Sequence, residues 1–150
     1  AASDVYKRQP QRSLVLNVNM ASFTLYSPYL TDSSVLSGAN LPDQDESIIE
    51  AQKFLEILGL FPEDIDSEKT TTELFTIRNG ILEKAQNISS AKLISVYFFQ
   101  KDIDEMPIAY PLGSNSSMNL VVSGGSGDGQ IVNARFFYQK VTDKSATYPG

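Results

Sequence analysis

Apolar and polar residues alternate from Ser13 onward. Leu14, Leu16 and Val18 fall on one side of an extended chain and Ser13, Asn17 and Asn19 on the other, with Val15 the one exception. A period of two predicts a half-buried strand over 13–19. Phe23 and Leu25 continue the period over 22–26 after a turn or bulge at Asn19-Met20, which makes a β-hairpin the expected unit. The periodicity then stops. Residues 27–42 contain Ser27-Pro28, Asp32-Ser33-Ser34 and Ser37-Gly38-Ala39-Asn40, a composition that predicts a linker between two lobes.

The period changes to that of a helix after Asp43. Asp43 with Glu46 forms an Asp-x-x-Glu variant of the capping box, in which side chains satisfy the free N–H groups of a helix start. Ile48, Ala51, Leu55 and Leu58 follow helical spacing on one face, and Ile49, Phe54 and Ile57 are expected to widen that stripe. Gly59 stands where a left-handed cap closes a helix, Leu60 is placed to fold back on the last turn, and Pro62 blocks resumption. One further turn is expected over Glu63–Asp66.

The remainder reads as strands. Residues 70–78 carry Leu74, Phe75 and Ile77 after Thr70-Thr71-Thr72, and Asn79-Gly80 is a turn signal. Residues 81–91 leave two readings open, a short helix beginning at Ile81 or a turn around Asn87–Ala91. Lys92–Gln100 is apolar on both faces, the mark of an inner strand. Ile108-Ala109-Tyr110, between Pro107 and Pro111, predicts a short edge strand. Met118, Leu120 and Val122 line one face of the next strand, Ser123–Gly129 forms a hairpin loop, and Val132, Ala134, Phe136 and Tyr138 share a face of the last, with Asn133, Arg135 and Gln139 opposite. A hairpin, one helix and then a run of strands predicts an α+β fold, an amphipathic helix packed on an antiparallel sheet and preceded by a β-hairpin.

Composition narrows the chemistry. The chain of 150 residues has no histidine and no cysteine. That excludes Ser-His-Asp and Cys-His catalysis, thiolate nucleophiles and disulfides, and removes the commonest metal ligand. The formal net charge of -6 opposes binding to phosphate backbones. No run of about 18 apolar residues is present to cross a bilayer as a helix. The acidic clusters Asp43/Asp45/Glu46, Glu63/Asp64/Asp66 and Asp102/Asp104/Glu105 lack calcium-loop spacing, and helix capping and turns account for them better. The 123–129 glycine run precedes a strand, whereas a phosphate loop opens a helix and carries Lys-Ser or Lys-Thr. Ser89-Ser90-Ala91-Lys92 has Ser-x-x-Lys spacing without the partner motifs of the enzymes that use it. No catalytic residue, cofactor or metal ligand is therefore assigned.

One feature leans toward binding. Tyr97-Phe98-Phe99 and Phe136-Phe137-Tyr138 lie on strands, so neighbours point to opposite faces and part of each set must leave the helix-packed core. Tyr97, Phe99 and Phe137 are the candidate interaction surface, to be covered by another lobe, a partner or a ligand.

Ile48-Ile49-Glu50-Ala51-Gln52-Lys53-Phe54-Leu55 ending in Gly59, Val96-Tyr97-Phe98-Phe99-Gln100, Met106-Pro107-Ile108, and Leu120-Val121-Val122-Ser123-Gly124 before Gly129-Gln130-Ile131-Val132 give residues 44–141 a pattern that resembles the extracytoplasmic PepSY-like and YycI-like domains of bacterial envelope proteins. The long 79–91 connection departs from it. The resemblance implies a helix on an antiparallel sheet and regulatory binding outside the membrane, with no catalytic residues to carry over. Asp4–Gln9 resembles a translated sequencing adaptor of the kind found at the ends of assembled metagenomic reading frames. Without its one acidic and two basic residues the net charge moves from -6 to -7. The expected organisation is a non-native tail at 1–9, a hairpin at 10–26 ending a preceding lobe, a linker at 27–42, a helix-plus-sheet domain at 43–141 and a tail at 142–150. The expected role is a non-catalytic regulatory or protein-interaction domain of a larger envelope protein, tethered through an upstream anchor. The alternative is a small-ligand or glycan-binding module.

Overall fold

The computed structural model describes residues 13–17, 22–101, 116–124 and 130–138. The predicted strand at Ile108-Ala109-Tyr110, the acidic cluster at 102–105, the loop residues 125–129 and both chain ends lie outside them. The elements are β1 (Ser13–Asn17), β2 (Ser22–Tyr26), a 3-10 turn (Tyr29–Thr31), α1 (Ser33–Leu36), α2 (Gln44–Ile57), β3 (Thr71–Arg78), β4 (Ile81–Lys84), a second 3-10 turn (Ile88–Ser90), β5 (Leu93–Phe98), β6 (Met118–Ser123) and β7 (Gln130–Phe137). The seven strands form one sheet in the order β1-β2-β7-β6-β5-β3-β4, with every neighbouring pair antiparallel. The α+β architecture is as the pattern predicted.

The helix starts and stops where its caps stand. The Asp43 carboxylate accepts from the Glu46 N–H at 2.8 Å. At the other end Gly59, at φ 71°, lets its N–H reach the Glu56 carbonyl at 3.0 Å while the Leu60 N–H reaches Leu55 at 2.8 Å. These two bonds are the Schellman pattern, which uses up carbonyls the helix leaves free. α2 lies across β5, β6 and β7. Ala51 and Leu55 are buried against Ile94, Val96, Phe98, Met118, Leu120, Val122, Ala134 and Phe136, and Phe54 reaches Phe23 of β2 at 6.0 Å between ring centroids. The helix stripe is narrower than predicted: Ile49 is exposed and Ile57 is 84% exposed. Ile57 lies on the flank rather than beneath the helix, so it gains nothing from the sheet.

Three further expectations change. Residues 81–84 form a strand, not a helix start: Asn79 and Gly80 both take positive φ, 54° and 75°, and close a two-residue hairpin with Arg78 opposite Ile81. That is the turn whose twist suits paired strands. Val132 does not share a face with Ala134 and Phe136. The register of β6 and β7 shifts between Val121 and Val122, and the extra residue turns Val132 to the face away from α2. Residues 27–42 do not divide the sheet, because β2 pairs directly with β7. The segment crosses the far face instead. Val35 of α1 is fully buried there with Leu93 and Val132, against Tyr29, Phe75, Ile77 and Val121. The Ser27 hydroxyl anchors the crossing by donating to the Val132 carbonyl. Pairing alternation thus gives the sheet a large core under α2 and a smaller one under residues 29–36.

Candidate functional site

Among the described residues, the smaller core covers only part of the far face. Beyond it, one row of cross-strand neighbours runs Val15, Thr24, Arg135, Asn119, Tyr97, Thr71 from β1 through β2, β7, β6 and β5 to β3. Phe137, opposite Ser22, stands one step along on the same face. Thr24 and Arg135 are exposed, Asn119 and Tyr97 half-buried, and Phe137 is 44% exposed. This uncovered half of the sheet is the candidate site.

Its polar groups are held by neighbours on the same face. The Tyr97 hydroxyl donates to Glu73 Oε1 at 2.7 Å. Lys84 Nζ lies 3.2 Å from Glu73 Oε2, so one carboxylate ties β3 to both β5 and β4. Asn119 Nδ2 donates to the Ser95 hydroxyl at 2.7 Å and to the Val96 carbonyl at 3.3 Å. Burial pushes the Tyr97 hydroxyl above its ordinary value of 10.0; the hydrogen bond from Ser95 pulls it back and the Glu73 carboxylate raises it further. Tyr97 is therefore neutral at physiological pH, with the Asn119 amide opposite it and Arg135 one strand further.

Of the three predicted surface residues, two stand on strands and one lies just past a strand end. Tyr97 and Phe137 share the far face, as strand alternation requires, while Phe98 and Phe136 turn into the core. There Phe136 stacks on Phe23 at 5.4 Å, and Phe61 meets Phe98 edge-on at 5.8 Å. Phe99 lies beyond the end of β5, half-buried, with its carbonyl accepting from the Asp66 N–H at 2.8 Å. The hairpin of β1 and β2 extends the sheet beside β7 rather than folding over half-buried Tyr97.

A second polar cluster went unmarked by sequence pattern. Asp64 Oδ1 accepts from the Tyr138 hydroxyl at 2.8 Å and Oδ2 from Gln100 Nε2 at 3.2 Å, and its carbonyl accepts from the Lys101 N–H at 2.7 Å. An isolated bridge between Ile65 and Gln100 completes the tie. Burial, and then the Asp64 hydrogen bond and charge with a smaller push from Glu63, raise the Tyr138 hydroxyl to about 12. The arrangement binds the end of β7 to the segment after α2. The only signal in the sequence was an acidic run that also suits a turn.

A cleft of about 470 Å³ opens beside β4, lined by Thr76, Arg78, Glu83, Lys84, Gln86 and Asn87 among others. Arg78 is 3.6 Å from Glu83 and Lys84 is paired to Glu73, so its cations already face carboxylates. Among the described residues no acidic group has the geometry to hold a metal ion, and no helix is long and apolar enough to cross a membrane. No protein-family model, curated protein or solved structure matches the chain.

Proposed function

We propose that this chain is a non-catalytic protein-interaction domain, acting outside the cytoplasm as a regulatory part of a larger envelope protein. The observation that carries the binding reading is the uncovered half of the far face, where Phe137 stands 44% exposed on an inner strand beside exposed Arg135. Aromatic residues and arginine are the types enriched where proteins meet, and they dominate binding energy when a partner excludes water from them. Tyr97 and Asn119 add fixed polar groups next to that pair. The lack of histidine and cysteine in the sequence favours binding over catalysis. The envelope setting rests on the likeness to PepSY-like and YycI-like domains alone.

A glycan-binding module is the second reading, favoured by the same Phe137 with Arg135, Asn119 and Thr24 around it. An aromatic plane with a few placed polar groups is a common recipe for small-ligand sites. One experiment separates the two. A photo-crosslinking side chain is placed at Thr24, with a control at Ile49 on the helix, and the purified domain is tested in parallel on an oligosaccharide array. The expected result is a discrete protein adduct from Thr24 only, lost with Phe137→Ser or Arg135→Glu, each of which weakens binding by roughly tenfold or more. Array binding that depends on Phe137, with no protein adduct, replaces the protein partner by a glycan. Adducts or array signals indifferent to both substitutions remove this face from the function.

A further inference from the structure

The two edges of the sheet are built differently. At one edge, β4 carries Glu83 and Lys84, engaged with Arg78 at 3.6 Å and Glu73 at 3.2 Å. Charged side chains of this kind discourage a further strand from adding. At the other edge, β1 reads Ser13-Leu14-Val15-Leu16-Asn17 and has no charge, no proline and no glycine. Leu14 and Leu16 lie on the helix side, opposite buried Leu25 and Phe23, yet they are 42% and 48% exposed because α2 does not extend over them. Val15, on the far side, is 63% exposed. Among the described residues no strand pairs with the outer edge of β1.

We propose that β1 is a self-association edge, pairing antiparallel with β1 of a second copy about a twofold axis through Val15. The sequence of the strand is nearly a palindrome, Ser-Leu-Val-Leu-Asn, which is what an isologous contact needs. Val15 then meets Val15 of the second copy, and Leu14 meets its Leu16. A perpendicular twofold keeps both helices on the same side, so the four leucines close into one apolar strip. The backbone groups of the edge gain partners at the same time. The palindrome selects a second copy as the occupant, and charge at this edge does not oppose it. Two molecules of formal charge -6 repel, but the ten residues of β1 and β2 include no Asp, Glu, Lys or Arg. Contact here therefore brings no like charges face to face.

A five-residue pairing is small against the ~1,200–2,000 Å² of a stable interface, so the dimer is weak and concentration-dependent. Sedimentation velocity between about 1 and 500 µM is the direct test, with the range set by a micromolar association. The expected result is a shift from monomer to dimer that Val15→Lys abolishes while its circular dichroism and melting stay those of the parent. Because the chain has no cysteine, Val15→Cys supplies an independent reading: oxidation links two copies through position 15, whereas Phe137→Cys does not link. A parent that stays monomeric throughout, or a dimer that survives Val15→Lys, overturns the proposal. Neither outcome decides the far-face binding reading, which is tested through Phe137 and Arg135.

Discussion

A hydroxyl's surroundings decide what each tyrosine does. Tyr97 and Tyr138 both donate to a carboxylate, yet they serve different ends. Tyr97 faces the uncovered sheet, where its bond to Glu73 fixes a polar group available to a partner. Tyr138 packs against the helix-side core and joins Asp64, which also holds Gln100. The raised value of about 12 for Tyr138 gives a pH prediction. Its folded value lies above the ordinary 10.0, so the folded state holds the proton more tightly than the unfolded state. The contribution is complete below pH 10 and is lost as pH rises toward 12. Tyr138→Phe should remove the latest-titrating component from the tyrosinate absorbance curve and flatten the fall of stability in that window. Near neutral pH the same change should cost about 0.5–1.5 kcal/mol, the usual worth of one hydrogen bond, read as a lower urea midpoint. Loss of a component titrating near the ordinary 10.0 instead would mean the Tyr138–Asp64 bond is not formed in solution.

At the scale of elements, α2 shows how a helix is both legible and misread. Its ends were plain in the sequence, because capping is local chemistry: Asp43 with Glu46, and Gly59 with Leu60, act within one turn of themselves. Its buried width was not, because the sheet below decides how far the apolar stripe is covered. Leu55 and Ile57 separate the two effects. Leu55→Ala should cost about 2–5 kcal/mol through lost burial and the cavity left among β5, β6 and β7. Ile57→Ser, at an 84% exposed position, should stay within about 0.5 kcal/mol. Chemical denaturation of the two variants checks both values, and equal losses would place Ile57 beneath the helix after all. The strand β4 was open to two readings for the opposite reason. Glu83, Lys84 and Ala85 favour a helix by propensity, but the Asn79-Gly80 turn returns the chain onto β3 and the pairing prevails. Strand alternation alone puts Val132 on the wrong face, because a bulge is a property of two paired strands. No residue in β7 alone announces it.

For the whole molecule, the decisive feature is the crossing segment read from composition as a linker. Serine, glycine and asparagine are common there, yet one apolar side chain, Val35, plugs the far face, and the chain then bends around the end of β6 to reach the start of α2. Val35 and the few other apolar residues of the segment follow no period, so pattern alone could not reveal it. The bend has a steric condition that the sequence does not display. Gly124, just past β6, lies so close to residues 39–41 that an added Cβ would meet the Ala39 carbonyl oxygen at 1.9 Å and the Leu41 nitrogen at 2.8 Å. Both are backbone atoms, so the clash cannot be relieved by a side chain turning aside. Gly124→Ala must therefore displace the crossing segment or the end of β6, and with it the contact of Val35 with Leu93 and Val132. The expected loss is about 1–3 kcal/mol, the scale of overpacking a close contact. Hydrogen exchange locates it: faster exchange should appear at Val35 and Leu36, whose N–H groups both bond to the Asp32 carbonyl, before the centre of β5 is affected. If the change instead loosens the whole sheet uniformly, the far-face cover and the helix-side core form one cooperative unit. If nothing changes, residues 39–41 do not lie against β6, and the far face is more widely open to a partner than Tyr97 and Phe137 alone define.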